Sequence, residues 1–191
     1  MTPQMTSIKG TNPDVVIMGM TDDPSMTALI KAKLQLNMST PILGYSSAAN
    51  PGTVNNFSKD QIKDLYAAQI YKAITYSSTA AGKGKPTWKP AQDFIAKYAK
   101  YLHSHNIKQS VLQATGGYDS VRILAWAING AKSADTDKVK DYMESHKYLG
   151  VRGAYIWSKS DHGGTARAAL YTVVYANSLN NYGALRQVPA K

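Results

Sequence analysis

Three small groupings carry the side chains best suited by type to do chemistry: His103-Ser104-His105, Asp161-His162 and the adjacent carboxylates Asp22-Asp23. At spacing i, i+2 on a helix, the rings of His103 and His105 face apart. No cysteine or Glu-Xaa-Xaa-His partner stands near them to complete a metal site. They read as a solvated helix end, where positive charge suits the helix dipole. Asp161-His162 stands in the polar, glycine-ended loop Ser158 to Gly164 without a nucleophile or a second acid at useful spacing. There Asp161 closes a turn on its own backbone. Asp22-Asp23 lacks the further oxygen ligand that a cation would demand. Gly82-Lys83-Gly84-Lys85 lacks the Gly-Lys-Ser/Thr ending of a phosphate loop, and no Gly-Xaa-Ser-Xaa-Gly elbow presents a nucleophile. The chain contains no cysteine, which excludes disulfides and thiolate chemistry. No catalytic, metal or cofactor constellation results, so recognition rather than reaction is the chemistry to look for.

Composition narrows the classes further. The formal charge of +10 favours polyanions in principle, but the 22 lysines and arginines are scattered and form no stripe or nucleic-acid motif. A chain of 191 residues buries one proper core. No apolar run is long enough to span a bilayer, and Met1-Thr2-Pro3-Gln4 lacks the basic and apolar regions of a signal peptide. The expectation is a chain that is cytoplasmic, already processed, or cut from something longer.

The recognising residues have to be positioned by elements, and the clearest run from Asn12 to Asn50. Val15-Val16-Ile17-Met18 is a short unbroken apolar strand ended by Gly19, and Pro41-Ile42-Leu43 is a second, ended by Gly44. Between them, Thr21-Asp22-Asp23-Pro24 starts a helix whose inward residues are Met26, Leu29, Ile30 and Leu34, with Lys31, Lys33 and Gln35 mostly on the other face. A strand–helix–strand crossover is right-handed and brings both strand ends to one edge of a parallel sheet. Ligands bind at that carboxyl edge in open α/β sheets. Met20-Thr21-Asp22 after the first strand, and Tyr45-Ser46-Ser47 after the second, are therefore the candidate contacts. Asp22 as a helix cap and Ser46 as a turn residue are the alternatives.

Elsewhere, Met5 to Lys9 reads as the end of a helix with Ile8 inward. Asn50-Pro51-Gly52 is a turn, and Ser58 to Gln61 is a capping-box start to a helix carrying Ile62 and Leu65. A third strand is expected from Gln69 to Ser77, followed by the loop Ser77 to Pro86. A helix from Pro90 carries Phe94, Ile95, Tyr98 and Leu102 on one stripe. Gly116-Gly117-Tyr118-Asp119-Ser120 opens a strong helix with Val121, Leu124, Ala125 and Ile128 as its apolar stripe. Asp135 caps the next, with Val139, Tyr142 and Met143 inward. Tyr148 to Lys159 reads as one strand, followed by strands from Ala169 to Ala176 and from Ala184 to Val188, with a turn at Asn180 to Gly183 before the last.

Three blocks in order carry a family likeness: Asn12 to Met18 with Thr40 to Gly44, Gly117-Tyr118-Asp119-Ser120-Val121, and Tyr148 to Gly153 running on to Ser160-Asp161-His162. Together they resemble the C-terminal portion of a type I periplasmic solute-binding protein, in the leucine/isoleucine/valine- and amide-binding branch that serves ABC transporters. The resemblance implies an α/β, three-layer architecture with a parallel sheet, incomplete because the N-terminal lobe's main sheet is missing. It implies a second-lobe portion over 1–80, a hinge loop and first-lobe helices over 81–147, and crossover strands returning to the second lobe over 148–191. It further implies a non-enzymatic, periplasmic receptor that closes on a small polar solute and signals a membrane ABC permease, without nucleic acid or membrane insertion. Second-lobe contact positions fall at Thr21 and Ser46, where amino-acid-binding members carry an aromatic and an acid. Asp119 would line the cleft near the hinge, or cap its helix. Two alternatives stay open: a truncated remnant without autonomous binding, with exposed apolar surface where the missing strands should pack, and a ligand-sensing regulatory module of the same fold.

Overall fold

The computed structural model describes residues 1–69, 75–76, 88–107, 111–164, 172–179 and 185–189. The loop expected from Ser77 to Pro86 lies outside them, as does the turn at Asn180 to Gly183.

Helix α1 (Thr2–Gly10) has Pro3 in its first turn, where the missing N–H costs no bond, and buries Met5 to 1% exposure. Met5, not Ile8, is thus its inward anchor; Ile8 packs half-buried on the same core. Strand β1 (Val16–Met18) leads through helix α2 (Asp23–Gln35) to strand β2 (Ile42–Gly44). The two strands pair parallel, Val16 opposite Ile42 and Met18 opposite Gly44. Met26, Leu29 and Ile30 of α2 are 0–1% exposed, as their spacing requires. Lys33 departs from the expected outer face: it is 7% exposed, and desolvation lowers its pKa against the raising influence of Asp64.

After β2 come a 3-10 turn (Ser46–Ala49) and a single helical turn, α3 (Pro51–Val54), where a plain turn was expected at Asn50 to Gly52. The Ser58–Gln61 capping box forms, with the Ser58 N–H donating to Gln61 Oε1 at 2.8 Å and the Gln61 N–H to Ser58 Oγ at 3.3 Å. No helix follows it. Residues 59–64 make turns, and Leu65 already opens strand β3 (Leu65–Gln69), which pairs parallel with β2. The third strand therefore ends where it was expected to begin. Cross-strand pairing and burial of Leu65, Ala67 and Gln69 outweigh a local helix start. Strand β4 (Thr75–Tyr76) is separate and pairs with a late segment.

Helix α4 (Lys89–Ser104) buries Ala91, Phe94, Ile95 and Leu102, with Tyr98 half-buried. Helix α5 (Val111–Ala131) starts ahead of the glycine pair expected to open it, so Asp119 is an interior residue and caps nothing. Helix α6 (Thr136–Ser145) is capped by Asp135, whose carboxylate accepts from the Lys138 N–H at 3.1 Å. The single strand expected over Tyr148 to Lys159 is a hairpin, β5 (Tyr148–Gly150) and β6 (Gly153–Tyr155), folded back at Val151-Arg152. Gly153 takes φ 136°, which a side chain would resist, and this lets the chain reverse.

Strand β7 (Thr172–Tyr175) pairs antiparallel with β3 and completes a four-stranded sheet in the order β1-β2-β3-β7. Strand β8 (Leu185–Arg186) pairs parallel with β4. The sheet is thus mostly parallel with one antiparallel edge. The buried core runs from Met5 through α2 and the sheet to Phe94 and Ile95 of α4, Val151 and Leu185.

Candidate functional site

The carboxyl ends of β1 and β2 are held level by their parallel register, which finishes at Met18 opposite Gly44. Two hydrogen bonds extend that union into the loops. The Tyr45 N–H donates to Met18 O at 3.1 Å, and Ser47 Oγ donates to Met20 O at 2.6 Å. The segments bearing Thr21-Asp22 and Tyr45-Ser46 consequently leave one edge as a joined pair. Thr21 and Asp22 are exposed, while Tyr45 and Ser46 are half-buried.

Gly44 is needed where the second loop begins. A Cβ there would stand 2.9 Å from Met26 Cε and closer still to Ala48 Cβ, so the 3-10 turn seats on α2 only without a side chain. Beneath the turn, Ser47, Ala48 and Ala49 are buried. Asn50 Nδ2 donates to Asp23 Oδ1 at 3.0 Å and fixes the turn to the start of α2. Asp22 caps α2: its Oδ1 accepts from the Ser25 N–H at 2.8 Å, and that hydrogen bond lowers its pKa below the ordinary carboxylate value.

The edge thus offers hydroxyl groups and exposed backbone, with its two carboxylates engaged in holding α2. It can donate and accept hydrogen bonds, and it holds no histidine or lysine to act as a base. Asn50 is the residue that sequence reading missed, and Ser47, a candidate contact, is instead buried with its hydroxyl on Met20 O. Both tie the 45–50 turn to the 20–23 loop, and a small polar run after a strand was the only signal available for them.

Asp119 stands in a different cluster. It is 1% exposed, and its Oδ1 accepts from the Val151 N–H at 2.8 Å. Its Oδ2 accepts from the Arg152 N–H at 2.9 Å and from Tyr155 OH at 2.9 Å. The carboxylate therefore fastens the β5–β6 turn to α5. Arg152 Nε adds a 3.2 Å bond to Thr115 Oγ1 one turn earlier on the helix. Burial first, and then the Asp119 charge, raises the Tyr155 pKa far above the ordinary phenol value of 10.0.

Of the groupings first suspected of chemistry, His162 Nε2 lies 2.8 Å from Glu144 Oε1, and Asp161 Oδ1 accepts from the Gly163 N–H at 2.9 Å, closing a turn on its own backbone. His105 Nδ1 lies 2.9 Å from Tyr101 O at the end of α4. Among the described residues, no three metal-ligating side chains gather, and no helix is long and apolar enough to cross a membrane.

A mostly parallel sheet with loops joined at its carboxyl edge, followed by a helical section and returning strands, is the layout of half a type I periplasmic binding protein. Periplasmic binding protein type 1 from Bordetella pertussis Tohama I superposes over 100% of this chain and 50% of its own, at a TM-score of 0.71 and 22% identity. LivJ from Streptococcus pneumoniae, a branched-chain amino acid transporter substrate-binding protein solved with isoleucine, matches 97% of this chain and 47% of its own, at 0.64 and 17%. A solute-binding protein of an ABC transporter from Rhodopseudomonas palustris BisB5, solved with 3,4-dihydroxy benzoic acid, matches 91% and 44%, at 0.61 and 17%. No curated protein matches the sequence. The periplasmic binding protein family pattern fits residues 1–178, and the chain belongs to that family. It spans about half the length of these solved relatives.

Proposed function

We propose that the chain is the C-terminal half of a solute receptor and binds a small polar solute, an amino acid, amide or carboxylate, at the β1–β2 edge. In this reading Thr21, Tyr45 and Ser46 contact the solute, a facing lobe closes over it, and closure in the periplasm presents the complex to an ABC permease. No bond is made or broken. Residues 1–80 form the second lobe, 81–147 supply the hinge and first-lobe helices, and 148–191 return. The observation that carries the proposal is the pair of bonds joining the loops, Tyr45 to Met18 and Ser47 to Met20. Loops tied in this way form one preorganised surface, which lowers the ordering cost of binding.

Two of the relatives were solved with isoleucine and with 3,4-dihydroxy benzoic acid, which supports a small amino-acid or carboxylate solute in this reading. A serine at position 46 cannot neutralise an ammonium group, and Asp22 is committed to its cap, so amides and carboxylates fit as well as amino acids. A thermal-shift panel of amino acids, amides and aromatic acids tests the proposal. A saturable rise in Tm with one class supports it, and silence across the panel contradicts it.

A second reading, a remnant that no longer binds alone, is favoured by one observation. Ile17 and Val15, in and beside the edge strand β1, are 73% and 47% exposed. Such an edge invites pairing with another strand. Light scattering separates the two readings: the remnant self-associates whichever solute is added.

A further inference from the structure

Away from the β1–β2 edge, a cavity of about 270 Å³ opens between the start of α4, the middle of α5 and strand β5. Its three walls are fastened to one another. Trp88 Nε1, just ahead of α4, donates to Gly150 O at 2.7 Å. The rings of Phe94 on α4 and Tyr118 on α5 meet with centroids 4.8 Å apart. The buried Asp119 carboxylate closes the third side by accepting from the Val151 and Arg152 N–H groups of the β5–β6 turn. Walls tied in this way hold their shape without a ligand, which lowers the ordering cost of binding.

Charge and surface define what the cavity would accept. Lys89, Lys97 and Arg122 line it against Asp93 and Asp119, an excess of one positive charge. Lys89 and Asp93 are paired at 2.5 Å, and both oxygens of Asp119 are taken by backbone and phenol donors. Lys97 and Arg122 form no ion pair among the described residues, and the Arg122 guanidinium stands against the Tyr148 hydroxyl. Helix α4 has no side-chain cap at Trp88, so the positive end of its dipole adds to the same potential. Phe94, buried, and Tyr118, 42% exposed, set an aromatic wall beside these cations.

We propose that this cavity is a binding site for a small aromatic carboxylate, its head on Arg122 and Lys97 and its ring against Phe94 and Tyr118. A guanidinium offers a carboxylate two parallel N–H donors. The single excess positive charge suits a monoanion. The volume falls just under the roughly 300–1,000 Å³ of drug-sized sites, which keeps the ligand small. The cavity shares no residue with the β1–β2 edge, so it is a second site and stands apart from the solute reading.

The test is an amide-resolved titration of the 191-residue chain with benzoate. Benzamide, which keeps the ring and loses the charge, and acetate, which keeps the charge and loses the ring, run beside it. Benzoate should perturb residues 89–97, 118–122 and 148–151 saturably, with benzamide and acetate at least about tenfold weaker. Arg122→Gln should weaken benzoate binding about tenfold, and Lys97→Gln about threefold. Both sites are exposed in the free chain, so each variant should keep the wild-type Tm. Ser46→Ala, at the other site, should leave this Kd unchanged. Benzamide binding as tightly as benzoate overturns the proposal, as does an unchanged Kd in both cation variants or the lack of any saturable change at these residues. Benzoate perturbations confined to residues 20–22 and 45–47 also overturn it, while supporting the β1–β2 edge.

Discussion

Ser47 is the side chain on which the arrangement of the candidate edge depends most directly. Its hydroxyl reaches Met20 O at 2.6 Å from a fully buried position. Ser47→Ala should cost about 1–2 kcal/mol in urea unfolding and loosen the loop that carries Thr21. Asp119 performs the same service for the helical section. Its carboxylate accepts from two backbone N–H groups and one phenol, all of which lose a charged acceptor in Asp119→Asn. That substitution should cost about 2–4 kcal/mol. Tyr155 adds a pH dependence. Its folded pKa is raised above 10.0, so the unfolded chain gives up the phenol proton at a pH where the folded chain still holds it. Stability from this group is therefore complete below the ordinary phenol value and is lost as pH climbs beyond it. Unfolding followed above that value should show a falling stability in the wild type and a flatter profile in Tyr155→Phe.

At the scale of elements, β1, α2 and β2 were legible because every local signal agreed: unbroken apolar strands, an acidic cap, proline in the first turn and helical spacing of Met26, Leu29 and Ile30. The β5–β6 hairpin was not legible, because Val151-Arg152 is a reversal without proline, asparagine or glycine at its centre. Gly150 and Gly153, which flank it, are the hints. Ser58–Gln61 shows the opposite failure: the helix-start chemistry is real and formed, but the sheet claims Leu65 too soon for a helix to follow. The apolar stripe of α5 was legible as a pattern, but its exposure at Val121 and Leu124 was not, since spacing shows that a face is apolar without showing what covers it. Two substitutions follow from this geometry. Gly44→Val, which drives a side chain into Met26 and Ala48, should cost about 1–3 kcal/mol by denaturant unfolding. Ile17→Lys, at a site 73% exposed on an edge strand, should leave the midpoint unchanged and reduce light scattering on concentration.

The molecule as a whole is half of a binding-protein architecture with one preorganised edge, and it spans about half the length of its solved relatives. That β1 and β2 end together at one edge of a parallel sheet was legible from topology alone. The ties through Ser47 and Asn50 were not, because they join residues 27 positions apart. Asp119 was legible as a residue of consequence, but the partners that occupy its carboxylate are fixed by tertiary packing. The most direct measurement is an amide-resolved titration with whichever solute raises the Tm, run on the wild type and on Ser46→Ala. Solute binding at the proposed edge perturbs residues 20–22 and 45–47 first, and Ser46→Ala weakens the Kd by about tenfold, the worth of one hydrogen bond. Perturbations confined to other parts of the chain, with an unchanged Kd in Ser46→Ala, would contradict it.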